Sequence, residues 1–196
     1  MATHPQTAKV TLQDFLAAAE AAEGHLEFID GQIVAMGGAT ITHGRITQRI
    51  AYALSAQLEG SSCEVLSQGN LVASGVAENA FVPDVVVFCG EPRFLQTAGG
   101  ELLLNPVVLV EVLSPSTAHI DHDVKLDNYR RIATLQEYLI VSQDRPRVER
   151  YMRQNEHFWQ WSVTEGLNTQ IRLDGLQATL DLARIYAGLG LKSEDE

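Results

Sequence analysis

Two carboxylates in this chain stand where burial would be costly. Glu111 is the one polar residue in the run Val107-Val108-Leu109-Val110-Glu111-Val112. A buried carboxylate without a partner costs about several kcal/mol, or gives up its charge. Asp84 follows Pro83 and interrupts a second apolar stretch, Val82 to Phe88. Two oxygen ligands on neighbouring strand ends, with positions left for water and phosphate, suit Mg²⁺. The plainer reading is that Asp84 caps a turn and Glu111 pairs with an arginine or with backbone N–H groups. Lys125 adds a third candidate, because only three lysines occur and Lys9 and Lys192 lie near the ends. A lysine is a compact point charge able to hold a water or offset charge on a phosphorane, although a bias toward arginine explains the scarcity equally well. Thr117, Asp121, Lys125 and Tyr129 recur every four residues, along one helical face. On a solvated face, Asp121 and Lys125 would be an ordinary stabilising pair.

The elements that must position these residues are legible as patterns. Thr11 with Asp14 three residues on is a capping box for a helix through Ala22. Leu26 to Ile29, Asp30-Gly31 and Gln32 to Met36 form a hairpin, since Asp-Gly supplies the positive φ angles of a type I′ turn. A second helix runs from Thr42 to Leu58, with Gly60 as its stop. Glu64 to Gln68 and Asn70 to Ala73 are one bent strand or two, and Phe81 to Phe88 is a strand carrying Pro83-Asp84. Val107 to Val112 is apolar enough for a central strand covered on both faces. A helix over Asp121 to Ile132, a strand at Glu137 to Ser142, a hairpin from Arg147 to Arg153 and His157 to Val163, and a helix from Asp181 through Leu189 complete the chain. The expected fold is α+β, a mixed sheet flanked by helices with an N-terminal helix and hairpin. One domain spans 1–196, with flexible ends at 1–9 and 191–196.

Composition narrows the function classes. The chain has 196 residues, 45% of them hydrophobic, which is enough to bury a core without staples. No apolar run approaches the roughly 20 residues of a membrane span, and Met1 to Lys9 lacks the apolar segment of a secretory signal. Cys63 and Cys89 read as buried free thiols, in keeping with a reducing cytoplasm. The net charge of −11 runs against the footprint of a nucleic-acid binder. Contact with a polyanion would need a local arginine patch, a metal ion, or an oligomer that gathers one face.

Taken together, Pro83-Asp84, Glu111 in its apolar strand, Ser114-Pro115-Ser116-Thr117, Asp121, Lys125 and Tyr129 resemble the Uma-type family of restriction endonucleases, within the PD-(D/E)XK superfamily. Glu27-Phe28-Ile29-Asp30-Gly31, His43 and Glu137-Tyr138-Leu139-Ile140-Val141 are similar to that family's further motifs, so the likeness covers about Val10 to Val148. The resemblance implies a restriction-endonuclease-like fold, Mg²⁺ with Mn²⁺ as a substitute, and hydrolysis of phosphodiesters in nucleic acid, DNA above all. It makes Asp84, Glu111 and the Val112 carbonyl the metal ligands and Lys125 the charge that orients water or stabilises the phosphorane. Glu27 becomes an outer acid acting through water, and His43 a phosphate contact or proton relay. Asp121 and Tyr129 become supporting groups. One departure is plain: the superfamily's E-x-K would place lysine at 113, where Leu113 stands, and in the Uma-type pattern the lysine has moved to the following helix.

Arg145, Arg147, Arg150 and Arg153, with Arg130 and Arg131, are the candidate phosphate-contacting patch. Trp159 and Trp161 share a strand face and pack, at a homodimer interface or within the chain. Two alternatives to an active endonuclease stand beside it: a silent scaffold that kept the fold, which the acidic composition favours, and a hydrolase of smaller phosphoesters.

Overall fold

The computed structural model describes residues 10–67, 69–74, 79–97, 100–114 and 118–191. Helix α1, Leu12–Ala21, begins at the capping box: Asp14 N–H donates to the Thr11 hydroxyl, and the Thr11 N–H donates to the Asp14 carboxylate, both at 3.1 Å. Strands β1, Leu26–Ile29, and β2, Gln32–Ala35, pair with Ile29 opposite Gln32. Asp30 (φ 51°) and Gly31 (φ 80°) supply the turn. Helix α2, Ile41–Leu58, buries Ile46, Ile50, Leu54 and Leu58 at helical spacing, and Gly60 (φ 78°) turns the chain out of it.

The following strands are β3 (Cys63–Ser67), β4 (Val72–Ser74), β5 (Asn79–Phe81), β6 (Val85–Cys89), β7 (Phe94–Thr97), β8 (Gly100–Leu103) and β9 (Pro106–Val112). Ala118–Ile120, a π turn over Asp121–Lys125, and Leu126–Tyr129 follow as one helical segment, α3. Strands β10 (Glu137–Val141), β11 (Arg147–Arg153), β12 (Trp159–Glu165), β13 (Gln170–Leu173) and β14 (Ala178–Asp181) precede helix α4, Leu182–Ile185. Among the described residues these make two six-stranded sheets, ordered β2-β1-β5-β4-β8-β7 and β12-β11-β10-β9-β6-β3, plus the β13–β14 pair.

The second sheet carries the core. Strand β9 lies inside it, parallel to β10 and antiparallel to β6, and six of its seven residues are buried. A parallel neighbour requires a crossover, which α3 provides between β9 and β10. On one face Val108, Val110 and Val112 pack with Ile46, Ile50 and Leu54 of α2. On the other, Leu109 and Ile140 pack with Leu126 and Tyr129 of α3. This two-sided cover explains the apolar sequence of β9 and isolates Glu111 within it.

Several sequence expectations are corrected. The single strand expected from Phe81 to Phe88 is broken at Val82-Pro83-Asp84, because β5 belongs to the first sheet and β6 to the second. Pro83 has no N–H for a ladder, and the Val82 N–H donates to the Glu27 carboxylate at 3.0 Å. The helix expected from Asp121 already starts at Ala118 and contains a π turn; Pro115, Ser116 and Thr117 lie outside the described residues. The closing helix ends at Ile185, not Leu189. Buried Tyr186 leaves helical geometry and donates its hydroxyl to the Ser142 carbonyl at 2.7 Å. The two segments around Gln68 are separate strands in separate sheets, and the β7–β8 and β13–β14 pairs were not foreseen. The tails 1–9 and 192–196 lie outside the described residues.

The cysteines are also corrected. Cys63 and Cys89 face each other across β3 and β6 and form a disulfide. Cystines are rare in a reducing cytoplasm, so the inference from free thiols to that compartment lapses. No helix among the described residues is long and apolar enough to cross a membrane.

Candidate active site

Asp84 begins the passage into β6, next to the C-terminal end of β9. Its Oδ2 accepts the Val112 N–H at 2.7 Å and lies 3.1 Å from His43 Nε2. His43 sits in the first turn of α2, and that turn is itself fixed. The Thr40 hydroxyl accepts the His43 N–H at 3.0 Å and donates to Gln143 Oε1 at 2.7 Å. Gln143 Nε2 in turn donates to the Leu113 carbonyl at 2.7 Å. The N-cap of α2 is thereby tied to the residue that follows β9. Burial alone would lower the His43 pKa, but Asp84 and a hydrogen bond to the Val112 backbone outweigh it and hold it above the ordinary value.

Glu111 is 3% exposed. Its Oε1 accepts from Lys125 Nζ at 3.0 Å and from the Tyr129 hydroxyl at 2.8 Å. Lys125, 1% exposed, also lies 2.9 Å from Glu27 Oε1 and 3.3 Å from Asp121 Oδ1. An ammonium has three donors, and three carboxylates surround this one. The spacing of Asp121, Lys125 and Tyr129 does bring them to one face, but that face is the interior, not a solvated surface.

The electrostatics are unbalanced. Glu27, Glu111 and Asp121 are all buried around Lys125. Burial pulls the Lys125 pKa down, and the three carboxylates more than reverse this, so the lysine stays charged. Burial pushes Glu111 well above the usual carboxylate range; Lys125 opposes the shift, while Asp121, Asp84 and Glu27 add to it. Burial likewise raises Tyr129, keeping its hydroxyl a neutral donor. Excess buried negative charge must be offset by a proton or by a second cation.

A cavity of about 530 Å³ opens in front of this cluster. Asp84, Glu111, Val112 and His43 line it, and Gly37 and Gly38 form part of its mouth. Lys125 and Glu27 are not among its walls; they stand behind Glu111. Among the described residues, no group of three or more His, Cys, Asp or Glu side chains is arranged to hold a metal ion. What faces the cavity is a carboxylate pair with hard oxygen donors, and Mg²⁺ sites are commonly built from one or two carboxylates plus water and phosphate. The donor set fits such an ion.

The expected arginine patch is largely engaged elsewhere. Arg147 pairs with Glu149 and Glu165, and Arg150 pairs with Glu137. Arg153 donates to the carbonyls of Leu135, Ile132 and Arg130 and covers the Trp159 ring. Trp159, partly buried, packs against the core opposite Arg153, whereas Trp161 is 55% exposed on the edge strand β12. Gln143 was missed, since nothing in its neighbourhood sets it apart from a loop residue. Asp121 and Tyr129 were signalled by their four-residue spacing.

A family model described as "Putative restriction endonuclease", Uma2, matches residues 12–184. The chain belongs to the Uma2 family. Two relatives from Synechocystis sp., both described as uncharacterized proteins, match this chain over nearly their full lengths. One, sll1609, is 32% identical over 83% of this chain and 91% of its own. The other, slr1290, is 30% identical over 92% and 93%. A crystal structure from Anabaena variabilis, described as a putative nuclease belonging to DUF820, superposes with a TM-score of 0.69. It shares 18% identity and covers 86% of this chain and 93% of its own, so it shows that this Uma2 member has that fold.

Proposed function

We propose that this Uma2 member is a Mg²⁺-dependent endonuclease that hydrolyses phosphodiester bonds in DNA. The observation that carries the reading is the pair Asp84 and Glu111 lining one cavity, each with a carboxylate oxygen held by donors. Asp84, Glu111 and the Val112 carbonyl would hold the ion. Bound there, Mg²⁺ supplies Lewis acidity and lowers the pKa of a coordinated water.

The chain's own residues supply orientation and charge. The Val112 N–H and His43 fix one oxygen of Asp84, and Lys125 and Tyr129 fix one oxygen of Glu111. Lys125 lies within 3.3 Å of three carboxylates, so it acts on the developing phosphorane through Glu111, by opposing the rise that burial gives that carboxyl, rather than by gripping the water. Glu27 holds both Lys125 and the Val82 N–H, which makes it a positioning residue for Asp84 and Lys125 alike. His43 faces the cavity with a raised proton affinity, the property needed to contact a phosphate or return a proton to the leaving oxygen.

Calorimetric titration with Mg²⁺ or Mn²⁺, run beside a plasmid-nicking assay, tests this. Wild type is expected to give a binding heat and metal-dependent nicking, and Glu111→Gln and Asp84→Ala are expected to lose both. Nicking that persists in either variant would overturn the site. A silent scaffold, favoured by the net charge of −11, predicts no nicking by wild type.

The homodimer belongs to the same proposal. Strand β12 is a sheet edge on which Trp161 and Val163 stand exposed, with Phe158 just before it. From Trp159 to Thr164 it carries no charge to block pairing with a second copy. Sedimentation of wild type against Trp161→Lys distinguishes dimer from monomer, and an unchanged species in both excludes this edge.

A further inference from the structure

A chain with 25 acidic residues and 14 lysines and arginines still needs somewhere to receive a polyanion. We propose that the outer face of α2, with the groove between α2 and the β13–β14 pair, is a docking track for a nucleic-acid backbone, led by Arg45, Arg49 and Arg184. This rests on the nuclease reading and extends it from the cavity to the surface that would hold the substrate.

The track begins at the site. Helix α2, 18 residues and about 27 Å long, places His43 on the cavity wall in its first turn and runs away from it. None of those residues is acidic. At 100° per residue, Arg45, Gln48 and Tyr52 fall opposite the buried Ile46, Ile50 and Leu54. All three are exposed, Tyr52 at 75%. Arg49 leans to one side, donating to the Ile185 carbonyl at 3.0 Å. With Tyr52, Gln57 and Arg184 it lines a groove of about 650 Å³.

Charge complementarity selects the occupant. Asp181 is the acid on the groove wall, and one of its oxygens is engaged by the Ala183 N–H at 2.9 Å. Among the described residues neither Arg45 nor Arg184 enters an ion pair, unlike Arg147 and Arg150 in the late hairpin. Exposed guanidinium groups, Arg45 on α2 and Arg184 on α4, suit phosphates, which arginine grips through paired N–H donors. Tyrosine and glutamine side chains are common partners of phosphate and sugar oxygens. Such contacts set position without reading sequence.

The test is anisotropy of a short labelled DNA duplex titrated with the full chain in EDTA, repeated across KCl concentrations. Arg45→Glu and Arg184→Glu are each expected to weaken binding alike for unrelated sequences. Each should reduce the slope of log affinity against log salt by about one. Arg93→Glu, exposed beside the other sheet, should leave the slope unchanged. Arg45→Gln provides a milder variant, and a thermal melt confirms that each variant folds. Equal slopes in all proteins, an equal loss in Arg93→Glu, or no binding by wild type would overturn the track. Cleavage in Mg²⁺ is scored separately. Cleavage with an unaltered slope removes the track and spares the nuclease reading, whereas binding through Arg45 and Arg184 without cleavage does the reverse.

Discussion

At the scale of single residues, Lys125 decides more than its own position. Replacing it with methionine keeps the volume and leaves Glu27, Glu111 and Asp121 buried without their cation. Breaking a buried ion pair in this way costs about 3–5 kcal/mol, so urea denaturation at neutral pH should show a loss of that order for Lys125→Met. Tyr129→Phe removes one donor to the same Glu111 oxygen and should cost about 0.5–1.5 kcal/mol, the usual net value of an intramolecular hydrogen bond. His43 gives a pH signature. Its folded pKa lies above the ordinary value of 6.5, so the protonated form favours the fold. That stabilisation is fully present below about pH 6.5 and is lost as pH rises through the folded pKa. The stability gap between wild type and His43→Asn should therefore shrink with rising pH across that window, as read from denaturant midpoints. A gap that widens would mean that Asp84 does not hold the imidazolium.

At the scale of elements, the Thr40 cap links helix geometry to the site. Thr40→Ala removes the acceptor for the His43 N–H and the donor to Gln143. A loss of about 1 kcal/mol is expected from the cap alone, together with a fall in His43 pKa measured by proton NMR. An unmoved pKa would show that the cap does not position the ring. The elements with strong local signals were legible in advance: the Thr11–Asp14 box, the Asp30-Gly31 turn, the α2 stripe, and the covered strand around Glu111. Those that failed depend on distant partners. Pro83 marks a disturbance in that stretch, but nothing local tells that Phe81 and Val85 belong to different sheets, because Glu27 captures the Val82 N–H from another strand. The π turn at Asp121–Lys125 is invisible to a period count that fits an α-helix equally well. For the site, the spacing of Asp121, Lys125 and Tyr129 was readable, but their burial was not, since it depends on where β9 lies beneath them.

At the scale of the whole molecule, the Cys63–Cys89 disulfide joins an edge strand to an inner one across a 26-residue separation. Chain-entropy arguments assign a crosslink of this span about 3 kcal/mol. Reduction with a phosphine should lower the unfolding midpoint accordingly, and a Cys63→Ser/Cys89→Ser protein should no longer respond. The register that makes the bond was hidden from the sequence, in which nothing next to Cys63 or Cys89 points to the other.

Glu27 belongs to one large sheet and Glu111 to the other, and one ammonium is shared between them. The two large sheets are thus fastened by the same charge that holds Glu111. Loss of activity on altering that lysine would by itself say little about chemistry, because the joint would open together with the site. Substitutions at Asp84, which lines the cavity and lies outside this fastening, are the cleaner instrument for testing the proposed nuclease reading.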